Sequence, residues 1–187
     1  MAISKSKIEF LYQYYLQNGI DHTVDEIVVA IGVAPKTFFN RYESKAHSID
    51  LAIKYWHSII SERFRMKMLQ CNHAVEELFF FILEMQLMRK NEKVYFQLEN
   101  EDHKFCTTET PVRNILDSIL KKGIRHYQFD ESIDRDAYSS FLIQNVCDYL
   151  PIAENKEQAI RYMLLPLLTE RGQELLEELD IQCFIAL

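Results

Sequence analysis

Chain breakers are scarce. Four glycines and four prolines punctuate 187 residues, too few for many short strands joined by tight turns. No segment sustains a strict alternation of apolar and polar residues, which excludes a half-buried sheet. No run approaches the ~18 uncharged apolar residues of a membrane helix. The N-terminal MAISKSKIEF has no apolar stretch of the signal-peptide kind. Cys71, Cys106, Cys147 and Cys183 are widely scattered, without a CxxC pair or a Cys/His cluster at metal-ligand spacing. They read as free thiols in a reducing cytoplasm. Glycine-rich phosphate loops, HExxH and nucleophile elbows are missing as well. His103 and Cys106 stand near Asp102 in EDHKFCTT, but a nucleophile and its base need spatial placement, not neighbouring positions. The expectation is a cytoplasmic protein with no catalytic activity, metal, cofactor or membrane span.

What is present is helical. The hydrophobic fraction is 48%, enough for a real core, and the apolar spacing predicts an all-α chain. The formal net charge of −7 is unevenly placed: residues 1–67 hold nine Lys/Arg and seven Asp/Glu, residues 68–187 twelve and twenty-one. A mildly basic end on an acidic body can touch a polyanion with that end alone.

Ile8, Leu11, Tyr12, Tyr15 and Leu16 form one face of a first helix, which Asn18-Gly19 closes. Thr23-Val-Asp-Glu26 is a capping box before a short stripe of Val24, Ile27, Val28 and Ile31. Gly32 ends that helix. Pro35 suits the first turn of a third, where its missing N–H has no partner to lose. Phe38 and Tyr42 share a face and turn inward, while Phe39 lies about 100° round the helix. Lys36, Thr37, Asn40 and Arg41 cannot all follow them inward. Ser44 reads as the N-cap of a long fourth helix running to about Lys67, with Ile49, Ile53, Trp56 and Ile60 as its stripe. Two short helices across a glycine turn, the second with a cationic polar face, are the sequence form of a helix-turn-helix.

Residues 23–45, TVDEIVVAIGVAPKTFFNRYESK, resemble the DNA-binding domain of the tetracycline-repressor (TetR) family of bacterial regulators. The resemblance rests on Thr23, Ile27, Gly32, Val33, Thr37, Phe38, Tyr42, Ser44 and Lys45 in type and spacing. It implies a helix-turn-helix domain over residues 1–50, motif at about 23–42, and an effector-binding and dimerisation domain over 51–187. It implies a regulator, usually a repressor, that binds a palindromic operator as a homodimer. Carried over by position, Thr23 and Lys45 would meet phosphates at helix N-termini, although Thr23 also reads simply as a cap. Lys36, Thr37 and Asn40 would face base edges. Pro35, Phe39 and Arg41 lie on the same surface, and Lys5 and Lys7 could form a basic arm. Three positions depart from the family pattern. Ala34 replaces a small capping residue, Phe39 lacks the hydroxyl of a usual Tyr, and Ser48 stands where many members have Leu.

Beyond residue 67 the spacing predicts helices over 74–89, 92–103, about 110–123, 136–150 and 156–180, with a loop around 130–136 and breaks at Pro166 and Gly172. The resemblance implies a small hydrophobic or aromatic effector, with Phe81, Met85, Met88, Tyr95, Phe96, Tyr127, Tyr138, Phe141 and Tyr162 as candidate lining; ordinary core is the other reading of these residues. It also implies a four-helix dimer interface from residues 136–150 and 156–170, to which Leu142, Val146, Tyr149, Ile160, Met163, Leu164 and Leu167 could contribute. Periodicity does not separate that role from the chain's own core. A helical adaptor that has lost DNA binding is the alternative, and Ala34 and Phe39 are what make it conceivable.

Overall fold

The computed structural model describes residues 5–95, 111–150 and 155–179. Helix α1 spans Lys5–Asn18, α2 Val24–Ala30, α3 Pro35–Tyr42, α4 Lys45–Met68 and α5 Ala74–Asn91. After them come α6 Pro111–Arg125, α7 Arg135–Asp148, α8 Lys156–Leu164, a 3-10 turn at Leu165–Leu167, and α9 Glu170–Glu178. The described residues form no β-strand beyond one isolated antiparallel bridge between Phe129 and Leu168. The all-α reading holds. The expected helix at 92–103 is described only as far as residue 95, with 93–95 helical; Phe96, His103 and, past that range, Cys106 lie outside the described residues.

Helix α4 joins the two ends of the molecule. Its buried residues are Ser48, Ala52, Trp56, Ile60 and Phe64. Each step of four residues overshoots a full turn by about 40°, so this stripe winds roughly 160° round the helix. Ser48 and Tyr55 meet Tyr15 and Tyr12 of α1, whereas Arg63, Phe64 and Lys67 meet Glu84 and Phe81 of α5; α3 and α6 also pack on α4. The position of the stripe corrects the expectation: Ile49 and Ile53 are only half-buried, and Ser48 and Ala52 take the inner places. Small side chains there let α1 approach closely, whereas apolar spacing favours the larger neighbours. The expected domain boundary at residue 50 falls inside α4, which runs through it unbroken.

The joint between the first helices and the body is polar as well as apolar. Tyr95, after α5, stacks on Tyr12 of α1 with ring centroids 5.0 Å apart and on Trp56 at 5.7 Å. Its hydroxyl donates to the Tyr12 carbonyl at 2.7 Å. Glu92 is buried and accepts from the Trp56 indole N–H. Arg63 pairs with Glu92 at 2.5 Å and with Glu84 at 2.9 Å, and Lys67 reaches the other Glu84 oxygen at 2.9 Å. Four charges share one partly dry site, so loss of one partner strands another.

The far end is organised by Gln128. Its side-chain oxygen accepts the Ala74 N–H at 2.8 Å, and its carbonyl accepts the Thr169 N–H at 3.1 Å. Gly172 does not break a helix, contrary to expectation. It lies in the first turn of α9, where a Cβ would stand 2.1 Å from the Gln128 carbonyl oxygen. The chain breaks instead at Leu168, extended at φ −83° and ψ 135°. Pro166 sits within the 3-10 turn, as a break there requires.

Helix α5 begins under an unusual cap. The His73 Nδ1 accepts the Glu76 N–H at 3.1 Å, which only an unprotonated nitrogen can do. Burial pushes His73 below its ordinary value and Lys122 acts in the same direction, whereas Glu76, Glu178 and Glu77 oppose. Above the ordinary histidine value of ~6.5 the folded and unfolded chains both hold the ring neutral. As pH falls below it, the unfolded chain protonates first, so stability is lost until the lower folded value is passed. In His73→Asn the cap persists without titrating. Thermal melts between pH 7.5 and 5.5 should show a larger loss of Tm in the parent chain than in His73→Asn; equal losses would mean His73 does not drive this dependence.

Candidate nucleic-acid interface

The turn between α2 and α3 is built by hydrogen bonds read directly from the backbone. Gly32 N–H reaches the Val29 carbonyl at 3.3 Å and Val33 N–H reaches the Val28 carbonyl at 3.0 Å. That pair is a Schellman cap, and it needs the left-handed φ that Gly32 adopts at +67°. Val33 is half-buried beneath the turn. Ala34 then starts α3 with no side-chain cap. Pro35 is its first residue, so one of the unsatisfied amides of a bare helix start is simply not there.

Phe38 and Tyr42 are fully or almost fully buried, with rings 5.0 Å apart. At 100° per residue, Lys36 and Asn40 lie on the opposite side of α3. Both are exposed, as are Pro35 and Phe39, while Thr37 and Arg41 are half-exposed. Phe39 is 48% exposed and meets Phe38 edge-on at 5.7 Å. Its ring is therefore partly anchored and partly presented. The structure brings Pro35, Lys36, Thr37, Phe39 and Asn40 together on one outward surface, with Arg41 at its margin.

The two phosphate candidates differ in environment. Thr23 forms the complete capping box: its N–H and hydroxyl donate to a Glu26 carboxylate oxygen at 2.7 and 2.8 Å, and its oxygen accepts the Glu26 N–H at 3.3 Å. The backbone bond from Thr23, then its hydroxyl, hold the Glu26 carboxyl below the usual range, with smaller help from His22 and Lys45. An anion already occupies the start of α2, so a phosphate there must compete with Glu26. The start of α4 has no such occupant in its first turn. Ser44 caps it by accepting the His47 N–H at 3.0 Å, no acidic residue lies in that turn, and Lys45 is half-exposed beside it. Lys7 is exposed on α1, and the Lys5 side chain lies outside the described residues.

Between α3 and α4 the chain makes a strained turn that apolar spacing does not announce. Glu43 adopts φ 61° and ψ −49°, and the Ser44 N–H returns to the Tyr42 carbonyl at 2.5 Å. This is a γ-turn of the rare, strained kind, centred on a residue with a Cβ.

The effector candidates divide. Phe81, Met85, Met88 and Tyr95 are fully buried and Tyr138 is 7% exposed. Tyr127, Phe141 and Tyr162 are 77%, 45% and 60% exposed, so they stand on the surface rather than inside. Tyr127 has a local reason: it holds the left-handed position after α6, at φ 57°, which turns its side chain outward. An open groove of about 350 Å³ along α4 is lined by Tyr55, Ser58, Ile59, Glu62, Arg63 and Met66, none of them an effector candidate. The interface candidates divide in the opposite sense. Leu142, Val146, Ile160, Met163, Leu164 and Leu167 are buried within this one chain, and only Tyr149, at 49%, is free to meet a partner. The exposed apolar residues here are Phe141 on α7 and Tyr149 just after it, and Tyr162 on α8 and Leu165 just after it. Spacing identified both helices and left open whether these residues face a partner or the chain's own core; within this one chain six of the seven are core. Among the described residues no cluster of His, Cys, Asp or Glu could hold a metal ion, and no helix is long and apolar enough to cross a membrane.

This arrangement is shared with solved structures. CprB from S. coelicolor A3(2), described as a TetR family protein, is 18% identical, with a TM-score of 0.60 over 93% of this chain and 97% of that one. The ketosteroid transcriptional regulator KstR2 of Mycobacterium tuberculosis is 14% identical, with a TM-score of 0.59 over 91% and 98%. An ArpA-like gamma-butyrolactone receptor is 17% identical, with a TM-score of 0.62 over 93% and 96%. No protein-family model matches the chain, and no curated protein matches it in sequence. At these identities the likeness is one of fold: the chain has the TetR-family fold, a helix-turn-helix domain followed by a larger helical domain.

Glu43→Gly tests the strained turn. Glycine adopts this backbone without the Cβ clash, so the variant should gain about 1 kcal/mol, or roughly 2–4 °C in Tm for a chain of this size. A lower Tm would show that the Glu43 side chain contributes more than its backbone costs.

Proposed function

We propose that this chain is a DNA-binding transcriptional regulator that reads a palindromic operator as a homodimer and is released from it by a small hydrophobic or aromatic effector. The observation that supports it most is the outward face of α3. Lys36 and Asn40 stand opposite the buried Phe38 and Tyr42, on a short helix held across a Schellman turn from α2. Such a helix fits the major groove of DNA. Lys36 donates toward guanine, Asn40 pairs with adenine, and Thr37 offers a hydroxyl and a methyl. Phe39 packs on a sugar or thymine methyl. Lys45 meets a phosphate at the start of α4, and Thr23 does so where Glu26 yields. Phosphate contacts fix register, and base contacts read sequence.

One such helix reads a few base pairs, so two copies on a two-fold axis are required, with half-sites about 34–36 Å apart or a multiple of it. The exposed Phe141, Tyr149, Tyr162 and Leu165 support α7 and α8 as the surface where the copies meet. Phe81, Met85, Met88, Tyr95 and Tyr138 support an effector site inside the larger domain. They are closely packed here, so entry requires the surrounding helices to part, which methionine accommodates well. The effector would act by favouring an arrangement in which the two α3 helices no longer match the half-site spacing. Repression is the direction most regulators of this fold take.

Selection of bound genomic fragments by the purified chain, followed by salt titration, tests the reading. The expected result is an enriched palindrome whose affinity falls steeply with salt through counterion release. Lys45→Ala should weaken every site and lower the salt slope by about two, one phosphate contact per copy; Asn40→Ala should relax preference at one base pair in each half-site. A folded dimer with no salt-dependent DNA affinity would instead favour the helical adaptor. Sedimentation of Phe141→Asp/Tyr162→Asp should show a monomer that keeps its helical signal. A dimer that survives both changes would place the subunit contact elsewhere.

A further inference from the structure

We propose that Tyr15 and Ser48 are positioning residues that aim the N-terminal end of α4 at the DNA backbone, an inference that rests on the DNA-binding reading above. Both side chains are fully buried. Tyr15 Oη lies 2.6 Å from Ser48 Oγ, and Ser48 Oγ donates to the Lys45 carbonyl at 2.6 Å. A serine hydroxyl has one proton. Since that proton goes to the carbonyl of Lys45, the Tyr15 hydroxyl must be the donor to Ser48. The result is a directed chain from the last turn of α1 to the first residue of α4.

That first residue is Lys45, the best-placed phosphate contact. The Ser48 N–H returns to the Ser44 carbonyl at 3.1 Å and the His47 N–H to the Ser44 hydroxyl at 3.0 Å. The Lys45 and Ala46 amides precede the first possible intrahelical acceptor and are left for an outside one. Their direction depends on how the first turn of α4 is rotated. On one side it is set by the strained turn at Glu43; on the other it is tied to α1 by the Tyr15–Ser48 hydrogen bond. A leucine at position 48, the residue the family resemblance places there, would fill space without fixing a direction. Two short hydrogen bonds in a dry site set both distance and rotation, and each is costly to leave unmade.

The test uses the full chain at a temperature where all variants are folded, with the selected operator and an unrelated duplex as probes. Tyr15→Phe and Ser48→Ala should each lower affinity for both duplexes about a hundredfold, tenfold for the one charged hydrogen bond weakened in each copy of the dimer, and lower the salt slope by about two. The double variant should be no worse than either single one, since both break the same chain. Tyr14→Phe, one residue away and partly exposed, should change nothing. If Tm falls while affinity and slope stay at the parent values, the pair is merely structural and the proposal is overturned. Should Ser48→Ala not fold, Tyr15→Phe, which removes a single oxygen, decides alone. Absence of salt-dependent binding in the parent chain would overturn the DNA-binding reading, and this proposal with it.

Discussion

The winding of the buried stripe on α4 is the constraint on which the other elements depend. A straight helix whose inner positions recur every four residues cannot keep one face inward along 24 residues. It must find one set of partners near its start and another near its end. Helix α1 meets the first set and α5 the second. The small α2–α3 unit has no core of its own beyond Ile27, Val28, Phe38 and Tyr42, so its attitude follows that of α4.

Polar groups at the joint give that packing its register. Hydrophobic contact between α1 and α4 would tolerate sliding, because apolar burial has no direction. The Tyr95 hydroxyl on the Tyr12 carbonyl, the Arg63 fork between Glu84 and Glu92, and the Tyr15–Ser48 chain do not tolerate it. Burial and the nearby Glu92 carboxylate push the Tyr12 phenol up to about 12, so it stays neutral in this cluster throughout the physiological range. Buried ion pairs of this sort contribute little net stability against an apolar alternative, but removing one partner is severe. Their role here is geometric, holding the first helices at a set angle on the larger helical body.

Much of the candidate site was legible because its signals are local. Thr23 and Glu26 form their box within four residues, Gly32 is needed by the hydrogen bonds of its own turn, and Pro35 constrains only its own φ. Phe38 and Tyr42 were readable as inward because four-residue spacing puts them on one side. The larger domain was less legible. Spacing placed its helices within a few residues, yet it could not say which of two apolar faces on α7 and α8 met the chain's own core. Phe141 and Leu142 are adjacent apolar residues, one 45% exposed and the other fully buried. Nothing local distinguishes them, because the choice is made by helices far away in sequence. Tyr127 looked like a pocket aromatic and is a helix-ending residue in the left-handed region, a place where glycine is the ordinary signal. Ser48 carried one hint, a small polar residue among large apolar ones, but its partner is 33 positions away.

The amino-acid sequence by itself determined the helices, their caps, the glycine turn before α3 and the polar character of the face that α3 presents. These follow from backbone hydrogen bonding and side-chain spacing within one or two turns, where the interacting groups lie three to five residues apart in the chain. Tertiary structure alone decided which polar groups are buried, and therefore matched. It decided that Glu84 and Glu92 meet Arg63, that Gly172 makes room for the Gln128 carbonyl, and that Tyr15 reaches the start of α4 through Ser48. Those pairings depend on the distance and angle between packed helices, which no periodicity within a single helix encodes.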